Sequence, residues 1–252
     1  MEKDLAFLKD REINKGIPIP IYYQLKEILL EFIKHSNVGD RLPTEVELCK
    51  RYQISRPTAR QAIRDLEVSG NVRRMQGRGT FVAEPKIAQE FLANIEDFEG
   101  RMKRLGYATT TKVLQLKEGD CDERSRYALK VEPGTKVTVL RRLIYANEAP
   151  MVLTLSYLPS AKFPNCEVGT FTDRSLVDVI QQDYGYKIRK IARSFEAKIV
   201  SDFEAELFGV KKGSPVQYVE ATCYMDGDAP IAHTMDRYRA DRNKFNFSLI
   251  LP

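Results

Sequence analysis

The sequence predicts an α+β protein in two parts: three helices closed by a short β-hairpin, then an antiparallel sheet that carries helices. Three observations predict it. Apolar residues recur at helical spacing in successive segments before Gly70. Residues 72–82 read as two short strands around a Gly-x-Gly turn. The pattern Val131, Gly134, Val137, Tyr145 returns 79 residues later as Val210, Gly213, Val216, Tyr224.

The chain has 252 residues, and at about 150 residues per domain that length favours two domains, each able to bury a core. Hydrophobic residues are 43% and charged residues 30%, ordinary for a folded chain and too apolar for a disordered one. No run approaches about 18 consecutive apolar residues. The first residues, MEKDLAFLKDREINKG, are charged where an export signal carries its apolar stretch. A cytoplasmic chain without membrane association is expected. Cys49, Cys121, Cys166 and Cys223 lie far apart with no C-x-x-C, and His35 and His233 are the only histidines. Reduced thiols, no metal and no cofactor are therefore expected.

In the first part, Ile21, Leu25, Ile28, Leu29, Phe32 and Ile33 form one stripe of an amphipathic helix over residues 20–35. After Gly39-Asp40, Thr44 and Glu47 have the spacing of a capping box, so a short second helix runs from Glu45 to about Arg51. Gln53-Ile54 makes a tight turn, Ser55 supplies an N-cap, and the third helix runs from Arg56 until Gly70 ends it. Pro57 suits the first turn, where its missing N–H costs little. A short turn before the third helix makes this a helix-turn-helix. At about 100° per residue, Ala59, Ala62, Ile63 and Leu66 share one side of the third helix, and Arg56, Arg60 and Arg64 follow one another on another. The first face packs. The second carries donors that match phosphate oxygens and guanine edges, although a purely structural helix can space arginines in the same way.

The hairpin that follows sets Gly77 and Gly79 among Arg73, Arg74 and Arg78, which lets bare backbone approach a groove or a phosphate. No helix succeeds it, so a dinucleotide fingerprint is not met. The net charge of +5 is unevenly spread: residues 1–83 hold 15 Lys+Arg against 11 Asp+Glu, and residues 84–252 hold 25 against 24. Residues 41–83 hold nine against four. A module that meets a polyanion has that balance, and so does a solvated basic face.

In the second part each copy of the repeat reads as a short helix (122–129; 202–208), a Gly turn, a long strand, a polar turn and a return strand. Ala149-Pro150 returns as Ala229-Pro230, 80 residues on, which implies one extra residue in the second turn. A further helix at 175–183 and a strand over 187–200 lie between the copies. One antiparallel sheet with helices on it is the simplest assembly, with a cleft between the two hairpins.

Together Leu42-Pro43-Thr44-Glu45, Ser55-Arg56-Pro57-Thr58-Ala59-Arg60-Gln61-Ala62 and Gly77-Arg78-Gly79-Thr80-Phe81-Val82 resemble the winged-helix domain of GntR-family bacterial transcription regulators. The remainder looks like the effector-binding UTRA domain of the HutC subfamily, whose fold resembles chorismate lyase. The resemblance implies a winged helix-turn-helix DNA-binding domain at 1–83, a linker at 84–90 and an effector-binding and dimerisation domain at 91–252. It implies a repressor that binds a pseudo-palindromic double-stranded operator as a homodimer under the control of a small-molecule effector. Carried over by motif, Ser55, Arg56, Thr58 and Arg60 stand where the family touches DNA from the recognition helix, with Pro57 and Gln61 in the same run. Gln76, Gly77, Arg78, Gly79 and Thr80 form the wing, and its tip at Gly77 enters the minor groove. Thr44 and Glu45 stand where the family approaches the phosphate backbone. Val46 replaces an arginine that many relatives carry, which predicts fewer phosphate contacts from the second helix.

The resemblance also implies a pocket lined by Asp97, Arg142, Thr154, Ser175 and Tyr238. Relatives that bind phosphosugars carry Arg-x-Arg on the first long strand; here Arg142 matches the first arginine and Ile144 replaces the second. Thr154 occupies the place of a carboxylate, Asp97 that of a Ser or Thr, and Ala232 loses a polar contact. Ser175 also reads as a helix cap and Tyr238 as a half-buried strand aromatic. These departures predict an effector other than a simple phosphosugar, with Arg142 on an anionic group and Asp97 on a cationic one. The alternative is an enzyme of chorismate-lyase-like fold carrying a DNA-binding head. The lack of a paired nucleophile and base, with His233 alone in its region, argues against it.

Overall fold

Helix α1 (Ile21–Lys34) buries Leu25, Ile28, Leu29 and Phe32, the stripe that its apolar spacing predicts. At the start of α2 (Glu45–Tyr52) the Thr44 side chain accepts from the Glu47 N–H, and the Glu47 carboxylate accepts from the Thr44 N–H at 2.7 Å, a complete capping box. Gln53 ends α2 in the left-handed region, with φ 49°, and so turns the chain within the few residues before α3 (Arg56–Val68). Ser55 caps α3 by accepting from the Thr58 N–H, and Ala59, Ala62, Ile63 and Leu66 are buried. Strands β1 (Val72–Met75) and β2 (Gly79–Val82) pair antiparallel. One core holds the stripe of α1, Leu48 and Tyr52 of α2, the buried face of α3, and Val72 and Val82 of the hairpin. Each fully buried Leu contributes about 1.5–3 kcal/mol and a cap about 1 kcal/mol, so the core holds the unit together and the caps set where its helices begin.

The structure, a computed structural model, describes residues 8, 11–89 and 97–246. Residue 90 of the expected linker, residues 91–96 at the expected start of the second domain and residues 247–252 lie outside the described residues. The chain divides into two compact units, Met1–Lys86 with Ala240–Arg242 and Ile87–Arg239 with Asn243–Pro252.

The second unit is built on six antiparallel strands in the order β4-β5-β6-β9-β8-β7. They are β4 (Thr109–Asp120), β5 (Lys136–Ala146), β6 (Ala149–Pro159), β7 (Lys190–Ile199), β8 (Pro215–Tyr224) and β9 (Pro230–Arg239). Two short strands, β3 (Ile87–Gln89) and β10 (Asn243–Phe245), form a separate parallel pair. Helices α4 (Phe98–Arg104), α5 (Glu123–Leu129), α6 (Val168–Phe171), α7 (Leu176–Asp178) and α8 (Asp202–Phe208) complete it.

The repeat is three-dimensional. β4, α5, β5 and β6 form one strand–helix–hairpin unit; β7, α8, β8 and β9 form another; and the two join where β6 pairs with β9. Gly134 and Gly213 hold φ of 81° and 79°, Val137 and Val216 are buried, and Tyr145 and Tyr224 each follow a register shift. The first hairpin turns through Asn147 and Glu148, both at positive φ as a two-residue turn requires. The second uses Asp226–Asp228, which accounts for the extra residue.

Two expectations change. The hairpins lie side by side in one sheet, so no cleft separates them; the cavity described below lies on one face of their junction. The helix expected at 175–183 is regular only to Asp178 and continues as a wider π turn over Val179–Asp183. Among the described residues no helix is long and apolar enough to cross a membrane. All four cysteines are free.

Candidate functional site

The outer face of α3 presents Arg56, Arg60, Gln61 and Arg64, all exposed. Its first turn is braced by Ser55 Oγ, 2.8 Å from Thr58 Oγ1, with Pro57 fixing the backbone between them. Gln61 Nε2 donates to Asp65 Oδ1 at 2.7 Å. Arg56 and Arg64 have no carboxylate partner among the described residues, whereas the Arg60 guanidinium donates to Glu45 Oε2 at 3.2 Å. Arg74 of β1 takes the other oxygen, Oε1, at 3.2 Å. The Glu45 side chain is only 18% exposed, so one partly sheltered carboxylate ties α2, α3 and the hairpin together. A carboxylate repels phosphate, and both oxygens of this one already hold cations, so it fixes where the Arg60 and Arg74 guanidiniums lie. The Thr44 hydroxyl is likewise engaged, donating to Glu47 Oε2 at 2.8 Å. At the wing tip Gln76, Gly77 and Arg78 are exposed, with Gly79 and Thr80 half-buried behind them. Gly77 has φ 71° and nothing within 4 Å of where a Cβ would sit, so the tip is bare backbone. Val46 is 59% exposed on α2, an uncharged side chain on that surface.

In the second unit a cavity of about 50 Å3 lies over the β6–β9 junction. Its floor is a lattice of side chains on one sheet face. Arg142, Thr154, Asp236 and Val219 stand opposite one another across β5, β6, β9 and β8; Ser156, Thr234, Ala221 and Arg193 form the next row. Asp97, Phe98 and Glu99 at the start of α4, and Leu176 and Val177 of α7, wall it.

Of the sequence-predicted residues, Asp97, Arg142, Thr154 and Tyr238 line this cavity. Ser175 stands behind them: it caps α7 by accepting from the Asp178 N–H, and its hydroxyl donates to Asp97 Oδ2 at 2.7 Å. Asp97 also accepts from the N–H groups of Gly100 and Val177, so it staples the starts of α4 and α7. Arg142 is 2% exposed; its Nη1 donates to Glu99 Oε1 at 2.7 Å and to the Arg174 carbonyl at 2.9 Å. Tyr238 is buried edge-on against Phe98 and Phe245. Burial pushes the Glu99 carboxyl up to about 8 against the pull of Arg142, and pushes Asp236 up to about 7. Burial raises the Tyr238 hydroxyl as well.

Sequence reasoning missed Glu99, Ser156, Arg193 and Asp236. For Ser156 and Asp236 a signal existed: two residues from Thr154 and Tyr238, they share those residues' sheet face. On the opposite face His233 is buried, with Nδ1 3.0 Å from Thr222 Oγ1 and Nε2 3.2 Å from Glu220 Oε1. Burial lowers its pKa, so it is a packed, neutral histidine. No group of His, Cys, Asp and Glu able to hold a metal occurs among the described residues.

Residues 21–82 match the bacterial regulatory proteins of the gntR family, and residues 104–244 match the UTRA domain. The chain is 31% identical to the HTH-type transcriptional repressor NagR of Bacillus subtilis (strain 168), over 92% of this chain and 96% of that one. It is 33% identical to the histidine utilization repressor of Klebsiella aerogenes, over 60% of this chain and 63% of that one. The crystal structure of PhnF from Mycobacterium smegmatis superposes with a TM-score of 0.63 at 25% identity, covering 90% of this chain and 99% of that one. With both matched segments in this order, and near full-length similarity to a named repressor, the chain belongs to the GntR family in its UTRA-bearing, HutC-like branch: a DNA-binding transcriptional regulator and not an enzyme.

Proposed function

We propose that this regulator represses by laying α3 in the major groove of its operator with the wing alongside, and that a metabolite in the cavity over the β6–β9 junction controls this binding. The observation that carries the first half is the row of exposed arginines on α3, two of them without a carboxylate partner among the described residues and the third held by Glu45. Ser55, Arg56, Thr58, Arg60 and the wing residues from Gln76 to Thr80 are the contacts we assign, with Thr44 and Glu45 shaping the surface and Gln61 beside it. The regulator acts in the cytoplasm as a homodimer on a pseudo-palindromic site. Supporting the dimer, Ile199 of the edge strand β7 and Phe203 of α8 are 69% and 49% exposed, apolar surface that a second copy would cover. The lever is the segment 84–90, and the effector changes operator affinity by binding the two functional states unequally.

Relatives are named for histidine utilization and for fructoselysine utilization, so the effector's chemistry follows from the cavity and not from membership. Ile144 in place of a second arginine, and Glu99 already on Arg142, support an effector other than a simple phosphosugar. Selection of bound duplexes from a random library tests the DNA half. We expect an enriched inverted repeat that Arg56→Ala and Arg60→Ala each fail to enrich; a flat, sequence-independent outcome with the unsubstituted chain would refute it.

A further inference from the structure

Four polar atoms among the residues lining the cavity are buried without a partner among the described residues: Thr154 Oγ1, Ser156 Oγ, Asp236 Oδ1 and Arg142 Nε. Buried polar groups are nearly always satisfied, so four on one patch of sheet mark where a ligand completes them. Thr154 and Ser156 are 5% and 0% exposed, and their spacing on β6 puts both on the same face. Thr154 stands opposite Asp236 and Ser156 opposite Thr234 in the β6–β9 pair, where facing Cβ atoms are about 4.5–5.5 Å apart. The Thr234 hydroxyl donates to Asp236 Oδ2 at 3.3 Å, which leaves Oδ1 for another donor.

Charge narrows the choice. The described lining holds three carboxyl groups, Asp97, Glu99 and Asp236, against two guanidiniums, Arg142 and Arg193. Asp97 is engaged by Ser175, Val177 and Gly100, and Glu99 by Arg142. An incoming anion must displace Glu99 from Arg142, whereas an incoming cation stabilises the ionised form of Asp236, whose Oδ1 has no partner among the described residues. Burial raises Asp236 and Glu99 to about 7 and about 8, against the pull of Arg142 on both. An ammonium group has three N–H donors and no acceptor, and Asp236 Oδ1, Thr154 Oγ1 and Ser156 Oγ are three acceptors.

We propose, resting on the reading of this cavity as the effector site, that the effector carries a primary ammonium group held by Asp236, Thr154 and Ser156.

Titration calorimetry and thermal denaturation of the full chain with three small probes test this. Ethanolamine has the ammonium donors, ethylene glycol replaces the ammonium by a hydroxyl, and choline keeps the positive charge without N–H donors. Ethanolamine binds saturably, raises Tm, and binds at least tenfold more tightly than either other probe. Asp236→Asn weakens its binding tenfold or more and Thr154→Val severalfold, with circular dichroism unchanged in both. No saturable ethanolamine binding, equal binding of ethylene glycol or choline, or ethanolamine binding untouched by Asp236→Asn would each overturn the proposal. The fate of the effector-site reading is decided separately by a metabolite that copurifies with the chain. If it lacks an amine but is released by Thr154→Val, the site stands and the ammonium falls; if it is held equally by Thr154→Val and Asp236→Asn, both fall.

Discussion

Arg60 is held by Glu45 in an ion pair whose size gives it little part in stability. An exposed ion pair stabilises a fold by about 0–1 kcal/mol, so Glu45→Gln should hardly move Tm, while releasing Arg60 and Arg74 from one geometry. We expect the ratio of specific to non-specific DNA affinity to fall in Glu45→Gln, read by fluorescence anisotropy with operator and scrambled duplexes. Arg56→Ala and Arg60→Ala should each cost about 1–3 kcal/mol of specific binding. The pair of Arg142 and Glu99 behaves differently because it is buried. Glu99→Ala strands a guanidinium that keeps its proton, at a cost of about 3–5 kcal/mol. Arg142→Ala leaves a carboxyl whose value is already about 8, mostly protonated at neutral pH, and so loses less; urea unfolding of the two variants should show that order. The pH dependence has a definite sign. Asp236 and Glu99 have folded values raised from 3.8 and 4.5 to about 7 and about 8, so their contribution is complete below the unfolded values and is lost as pH rises through the folded ones. Buried His233, whose value is lowered from 6.5, has the opposite slope. The stability of the unsubstituted chain minus that of Asp236→Asn removes His233 from the comparison and should decline between about pH 4 and pH 7.

At the scale of elements, helix starts were legible because the signals are local. Thr44 with Glu47, and Ser55 with Thr58, meet across three residues whatever the rest of the chain does. Ser55→Ala should cost about 1 kcal/mol of stability and weaken operator binding as well, since the cap braces the turn that carries Arg56 and Thr58. At the wing, Gly77→Ala introduces a side chain at φ 71°, a conformation that costs an L-residue roughly 1–2 kcal/mol. With open space around that position, the loss is purely conformational, and Gly77→Asn, which tolerates this region better, should recover part of the Tm. The end of α7 was not legible. Leu176, Val177, Val179 and Ile180 are all buried, more of a short segment than one helical stripe accommodates, and the wider turn over Val179–Asp183 accompanies that burial.

For the whole molecule, the logarithm of operator affinity should fall linearly with the logarithm of salt concentration, because arginine–phosphate contacts release counterions. Each phosphate-contacting arginine removed should reduce that slope by about one. Sedimentation should report a species of about twice 28.9 kDa, and Ile199→Glu should shift it toward the monomer. By linkage, an effector that lowers operator affinity by some factor binds the operator complex more weakly by the same factor. The order of domains, the capped helices, the arginine row and the duplicated strand–helix–hairpin unit were determined by the sequence alone, since each depends on residues within a few positions of one another or on a repeat visible by inspection. The pairing of β6 with β9, which sets Thr154 against Asp236, and the ties of Glu99 to Arg142 and of Asp97 to Ser175 were decided only by the tertiary structure. Partners 43, 78 and 82 residues apart meet through sheet register and helix placement, and no periodicity along the chain encodes which buried carboxyl is left facing the cavity.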